Sequence, residues 1–131
     1  MIVVDTNVIA YLFITGDFTQ QAKKLLKTDH DWIAPILWKS EFRNVLALYM
    51  RRGYLSLENS ILLLDEAENF MNESGYDVKS SNVMELVSKS DCSAYDCEFV
   101  ALAQSLNLKL LTSDKKIIKE FPDIVISLKN I

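Results

Sequence analysis

The chain has 131 residues, 50% of them hydrophobic, with three Gly, two Pro and a formal net charge of −4; that suits one compact domain, 1–131, with a substantial core and no case for a second. No apolar run approaches the ~20 residues a membrane helix requires, and the apolar start Met1-Ile2-Val3-Val4 lacks the basic residues of a secretory leader and carries Asp5 inside the run, so a cytoplasmic protein without membrane contact is expected. The acidic balance works against broad nucleic-acid binding, which rests on Lys and Arg neutralising phosphates, so any such contact has to depend on local charge.

Ile2 to Val4 reads as a short β-branched strand, followed by a helical segment around Val8 to Phe13. After the Gly16-Asp17 break a second helix runs from about Thr19 to Leu26. Trp32-Ile33-Ala34 reads as a short strand, because the residue before Pro35 is pushed toward extended geometry. Two long helical stretches come next, Ile36 to Arg52 and Leu57 to Met71, separated at Gly53. Arg51-Arg52-Gly53 has the form of a helix C-terminus, with cations over the last carbonyls and then a glycine. Gly75 introduces a strand near Tyr76 to Val78, and Asn82 to Ser88 forms one or two helical turns. Ser93 to Leu106 is strongly helical with Ser93 as its cap, Lys109 to Thr112 reads as a strand, Asp114 to Glu120 as a short helix, and Ile124 to Ile126 as a last strand. Strands alternating with helices imply an α/β domain with a parallel sheet covered on both faces. Ligands of such sheets bind beyond the C-terminal strand ends.

Cys92 and Cys97 are five apart on different helical faces, and the single histidine, His30, is remote in sequence. That is not zinc-site spacing, and a chain able to build its own core needs no disulfide framework. Reduced, partly buried thiols are expected.

The acids are more informative. Asp5 and Asp114 each stand where a strand gives way to a helix, positions at which aspartate is common as a cap; they share a rim of the sheet if their strands are parallel. Glu41 falls on the stripe Leu37, Glu41, Val45, Leu48, and Asp96 is followed by Phe99, Val100 and Ala103, so both acids are expected to point inward along apolar faces. Buried carboxylates are rare without partners. Four converging carboxylates repel by about 3 kcal/mol per pair at ~5 Å and an effective dielectric of ~20, and an oxygen-only donor set points to magnesium or manganese as the cation that would hold them. Thr6, Asn7, Thr112 and Ser113 can orient a carboxylate or a bound water, or simply serve turns and caps at strand ends. Asp91 reads as a solvated loop or cap acid outside the cluster. Local positive charge for nucleic acid is offered by Lys39, Arg43, Arg51 and Arg52, and by Lys109, Lys115, Lys116 and Lys119.

Four segments, Val3-Val4-Asp5-Thr6-Asn7-Val8, Ser40-Glu41-Phe42-Arg43-Asn44-Val45-Leu46, Ser93-Ala94-Tyr95-Asp96 leading into Phe99-Val100-Ala101-Leu102-Ala103, and Leu110-Leu111-Thr112-Ser113-Asp114, resemble the PIN-domain family, and within it the VapC-like toxins of toxin–antitoxin pairs. The resemblance spans essentially the whole chain, in the family's order and spacing. It implies a three-layer α/β/α domain and an endoribonuclease dependent on Mg2+ or Mn2+, with Asp5, Glu41, Asp96 and Asp114 as the acidic quartet and Thr112 or Ser113 in support. It also implies attack of a metal-activated water that leaves a 5′-phosphate and a 3′-hydroxyl, a homodimer, and silencing by a small antitoxin that places a basic side chain among the acids. A non-toxin nuclease or a catalytically silent RNA-binding module of the same fold are the alternatives. An aspartate-based phosphotransfer protein fits less well, because it would carry a second aspartate at the position of Asn7 and gives Glu41 no role.

Overall fold

In the computed structural model, described for residues 1–72 and 75–131, five strands form one all-parallel sheet in the order β3-β2-β1-β4-β5. The strands are β1 Ile2–Val4, β2 Trp32–Pro35, β3 Gly75–Tyr76, β4 Leu110–Thr112 and β5 Val125–Ser127. The helices are α1 Thr6–Phe13, α2 Thr19–Thr28, α3 Leu37–Arg51, α4 Leu57–Met71, α5 Ser80–Ser88, α6 Ala94–Leu106 and α7 Lys115–Glu120, and a 3-10 turn at Leu128–Asn130 follows β5. Helices α1 to α4 pack on one another, while α5 pairs with α6, which lies against β1, β2 and β4. The result is the expected α/β/α architecture. Among the described residues no helix is long and apolar enough to cross a membrane.

The central strands read as unbroken apolar runs because both faces of the sheet are covered. Val3, Val4 and all of β2 and β4 are buried, whereas the edge strands β3 and β5 are not buried throughout. The sheet end of the core is completed by Phe99, Val100 and Ala103 from α6 and by Trp38, Phe42 and Leu46 from α3.

Several boundaries move for local reasons. Helix α1 begins at Thr6 rather than near Val8, since the Asp5 side chain accepts from the Thr6 N–H and opens the helix there. Strand β3 stops at Tyr76 because its partner β2 ends at Pro35, the residue it pairs with. Ser93 caps α6 as expected, its Oγ accepting from Asp96 N at 3.1 Å. Helix α3 ends on Gly53, whose φ of 77° is the left-handed conformation that glycine adopts without a Cβ penalty. Cys92 and Cys97 are separate, buried thiols.

One expectation about α3 needs correction. The stripe Leu37, Glu41, Val45, Leu48 is not the core face: Trp38, Phe42 and Leu46 are buried, Glu41 and Val45 are half-buried, and Leu48 is exposed. Both stripes have helical spacing, and one residue of rotation separates them. Glu41 therefore stands on the flank of the helix, facing a pocket rather than the interior.

Candidate active site

Strands β1 and β4 are neighbours, yet the chain leaves β1 toward β2 on the other side. That makes the β1/β4 boundary the switch point of the sheet, where a crevice opens beyond the strand ends. Asp5 follows β1 and Asp114 follows β4 with one residue between, and the Asp5 N–H donates to Leu111 O at 2.9 Å, so the two acids share a rim. Glu41 is brought there by the second turn of α3, and Asp96 by the first turn of α6. All four carboxylates line one open pocket of about 470 Å3.

Asp5 lies deepest, 7% exposed. Its Oδ1 accepts from Thr6 N at 2.8 Å, and its Oδ2 accepts from Thr112 Oγ1 at 2.6 Å and from Asn7 Nδ2 at 3.3 Å. Burial pushes the carboxyl up to about 7; the bonds from Thr112 and Thr6 work against this, and the charges of Glu41 and Asp96 reinforce it. Glu41 is half-buried with Oε1 held by the Thr6 hydroxyl at 2.7 Å, and burial, then the charges of Asp96 and Glu98, raise its carboxyl as well. Asp96 is raised by burial and by the charge of Asp114, with Ser93 and Lys116 pulling the other way. Asp114 behaves as the cap its position suggests, Oδ1 accepting from Lys116 N at 2.8 Å and Ile117 N at 3.3 Å.

The neighbouring polar groups are wired to these acids. Thr112 Oγ1 accepts from Asp114 N at 3.0 Å and from Asn7 Nδ2 at 3.2 Å while donating to Asp5. Ser113 N donates to Asn7 Oδ1 at 3.2 Å. Thr6, Asn7, Thr112 and Ser113 thus form one network around Asp5 and Glu41.

The donor set is all carboxylate oxygen, the chemistry a hard divalent cation takes. Among the described residues no three of these side chains yet form a closed metal-binding group, in keeping with Asp114 being turned onto the end of α7. Asp5, Asp96 and Asp114 nonetheless stand at helix N-termini, whose dipoles favour anionic groups.

The basic residues are less concentrated. Lys116 is close enough to Asp96 to favour its ionised form, and Lys115 precedes it on exposed helix surface. Lys39 instead pairs with Glu68 of α4 at 3.8 Å, Arg43 lines a groove between α3 and α4, and Arg51 and Arg52 lie exposed at the far end of α3. None of these four lines the acidic pocket. Lys109 bonds Asp123 O on the edge of the sheet, Lys119 lies in the last turn of α7, and Asp91 is exposed outside the pocket. Conversely, Ser40, Asn44 and the 63% exposed Tyr95 line the pocket without having been singled out. Ser40 and Asn44 adjoin Glu41 and Val45 on α3, a signal that becomes readable only once the pocket-facing stripe is known.

The sequence profile of the PIN domain matches residues 2–123. A curated relative named Ribonuclease VapC3, from Pyrobaculum aerophilum, is 28% identical over 127 residues, covering 95% of this chain and 97% of that protein. Among solved structures, FitAcB from Neisseria gonorrhoeae superposes with a TM-score of 0.78 at 16% identity over 100% of both chains. A toxin–antitoxin complex from Klebsiella pneumoniae gives 0.67 at 16% identity over 98% of both. At such identities the structural likeness speaks for the fold.

Proposed function

The chain belongs to the PIN-domain family, and from that premise we propose that it is a divalent-metal-dependent endoribonuclease serving as the toxin of a toxin–antitoxin pair. The observation that carries this reading is the convergence of Asp5, Glu41, Asp96 and Asp114 on one pocket at the switch point of the sheet. The name of the ribonuclease relative supports RNA as the substrate, and the toxin–antitoxin relative supports a small protein partner.

Asp5, Glu41, Asp96 and Asp114 would hold Mg2+ or Mn2+. Bound there, the ion supplies acidity to a water and offsets charge building on the scissile phosphate. Hydrolysis forms a bond from the water oxygen to phosphorus and breaks the bond to the 3′-oxygen, which takes up a proton; the products are a 5′-phosphate and a 3′-hydroxyl. Thr112 and Asn7 fix Asp5, Thr6 fixes Glu41, and the Asp5 carboxyl, pushed up to about 7, would give up its proton as the site takes a cation. Lys116, beside Asp96, is the cation placed to meet the RNA backbone.

A protein partner has surface to cover: Tyr54, Leu57, Ile61 and Leu62 are 48–70% exposed in and before α4. A basic side chain from an antitoxin would make charge-assisted bonds with the acidic pocket and compete with the metal. A homodimer completes the proposed assembly, and sedimentation at micromolar concentration tests it, a monomer counting against it.

Cleavage of RNA by purified protein in manganese tests the reading, with Asp5→Asn and Asp96→Asn as variants. Both are expected to fold and to lose cleavage, because each removes a ligand charge and little volume. Full activity in either, or activity surviving a chelator, would falsify the mechanism.

A further inference from the structure

Beside the acidic pocket lies a second, smaller cavity of about 200 Å3, and Asn7 and Val45 belong to the walls of both. The rest of its lining is aliphatic and aromatic: Ala10, Tyr11 and Ile14 on one side, Tyr49 of α3 on the other, with Gly16 at the edge. Both tyrosines are half-buried.

Their rings are held from behind. Tyr11 meets Phe18 edge-on, centroids 5.4 Å apart at 85°. A Cβ on Gly16 would come within 3.0 Å of the Tyr11 Cε1, so the turn packs directly on the ring. Thr19 Oγ1 ties that turn down, accepting from Gly16 N at 2.8 Å and donating to Tyr11 O at 2.7 Å. Tyr49 is backed by Tyr54, with centroids 6.1 Å apart. A pair of tyrosines between two helices ordinarily fills space. Here a cavity persists beside both rings and shares the Asn7 and Val45 walls with the acidic pocket.

We propose that this cavity seats one nucleobase of the RNA strand, next to the phosphate presented to the four carboxylates, with Tyr11 and Tyr49 as the stacking surfaces. The inference rests on the ribonuclease reading and adds to it how the strand is gripped. Size favours one base: ligand pockets for larger molecules start at roughly 300 Å3. Charge argues the same way. The chain carries a net charge of −4 and most of its expected RNA-binding cations lie away from the pocket, which leaves stacking to supply what phosphate neutralisation does not. Asn7 is already engaged through both ends of its amide, with Asp5, Thr112 and Ser113. Base choice at this position therefore follows stacking strength, favouring purines, rather than hydrogen-bond readout.

The test uses a short RNA containing a mapped cut site and a set of copies in which one ribose at a time lacks its base. One position adjacent to the cut is expected to raise KM by roughly 5- to 150-fold when abasic, with kcat falling far less. Tyr11→Ala and Tyr49→Ala are expected to raise KM on the intact RNA in the same range and to lose sensitivity to the abasic position. Tyr11→Phe, which keeps the ring, should retain most of it. Folded alanine variants with the wild-type KM, or with the abasic penalty undiminished, overturn the proposal. So does a loss of protein-partner binding with KM on RNA unmoved, which would assign the cavity to that partner. If the wild-type protein cuts no RNA in manganese, the nuclease reading fails by itself. Fluorescence anisotropy with a labelled single-stranded RNA and its copies abasic at one position each then decides the cavity: weaker binding of one abasic copy supports it, and equal binding of all of them overturns it.

Discussion

The Thr112 hydroxyl donates to Asp5 Oδ2 at 2.6 Å, joining residues 107 positions apart at the ends of adjacent parallel strands. The same oxygen accepts from Asp114 N and Asn7 Nδ2. A single fully buried hydroxyl thus aligns two of the four acids and the amide beside them. Pre-organisation of this kind fixes the orientation of Asp5 before any charge is bound, so less has to rearrange when it is.

Thr112→Val should show this as a stability loss. Valine fills the same space, but it leaves Asp5 Oδ2 with only the longer bond from Asn7 and the Asp114 N–H without its partner, at a cost of about 1–3 kcal/mol. Thr112→Ser should recover most of it. Urea unfolding of the three proteins checks the order; a valine variant as stable as the wild type would mean that water or a neighbour satisfies these groups.

The pH dependence of metal-free stability should report Asp5. Its folded carboxyl is pushed up to about 7, whereas an unfolded aspartate titrates near ~3.9. Between those values the folded state holds a proton that the unfolded state has lost, so stability falls as pH rises, and the loss is complete above about 7. From pH 5 to pH 8 the expected decrease is about 2–3 kcal/mol. Glu41 and Asp96 shift in the same direction, so Asp5→Asn should flatten the profile in part. Thermal unfolding in chelator across this range is the measurement, and a wild-type profile that rises with pH would contradict the burial argument.

Much of this arrangement is legible in the residues themselves. Ile2–Val4 and Leu110–Thr112 read as strands because burial on both faces leaves no alternation to misread, and that reading places Asp5 and Asp114 on a shared rim. Glu41 stands out in the sequence on a stripe that turns out to flank the core rather than enter it. Its stripe and the Trp38–Phe42–Leu46 stripe are both spaced for a helix, and only the packing of α3 decides which one meets the core. The cations were harder still, since the pairing of Lys39 with Glu68 depends on how α3 and α4 meet. The Tyr11–Tyr49 cavity has no sequence signature, because it exists only where α1 packs beside α3.

Glu41→Gln should separate charge from scaffold. The amide oxygen can still accept from Thr6 Oγ1, so stability should change little, while one ligand charge is lost. Calorimetric titration with manganese is expected to show binding weakened by at least about tenfold, in the range found when groups around a metal are altered. Equal affinity in the two proteins would remove Glu41 from the metal set.

Asp114 combines two roles that its substitutions should divide. Its Oδ1 accepts from two N–H groups at the start of α7, and its carboxylate also lines the acidic pocket. Asparagine caps helices about as well as aspartate, whereas alanine forfeits about 1 kcal/mol. Asp114→Asn should therefore unfold near the wild-type urea midpoint and Asp114→Ala at a lower one, while both weaken manganese binding and RNA cleavage to a similar extent. If Asp114→Asn retains full metal affinity and activity, Asp114 is a helix cap alone and the metal is held by Asp5, Glu41 and Asp96. If both variants lose stability equally, the carboxylate charge at the α7 N-terminus matters more than the hydrogen bonds it accepts.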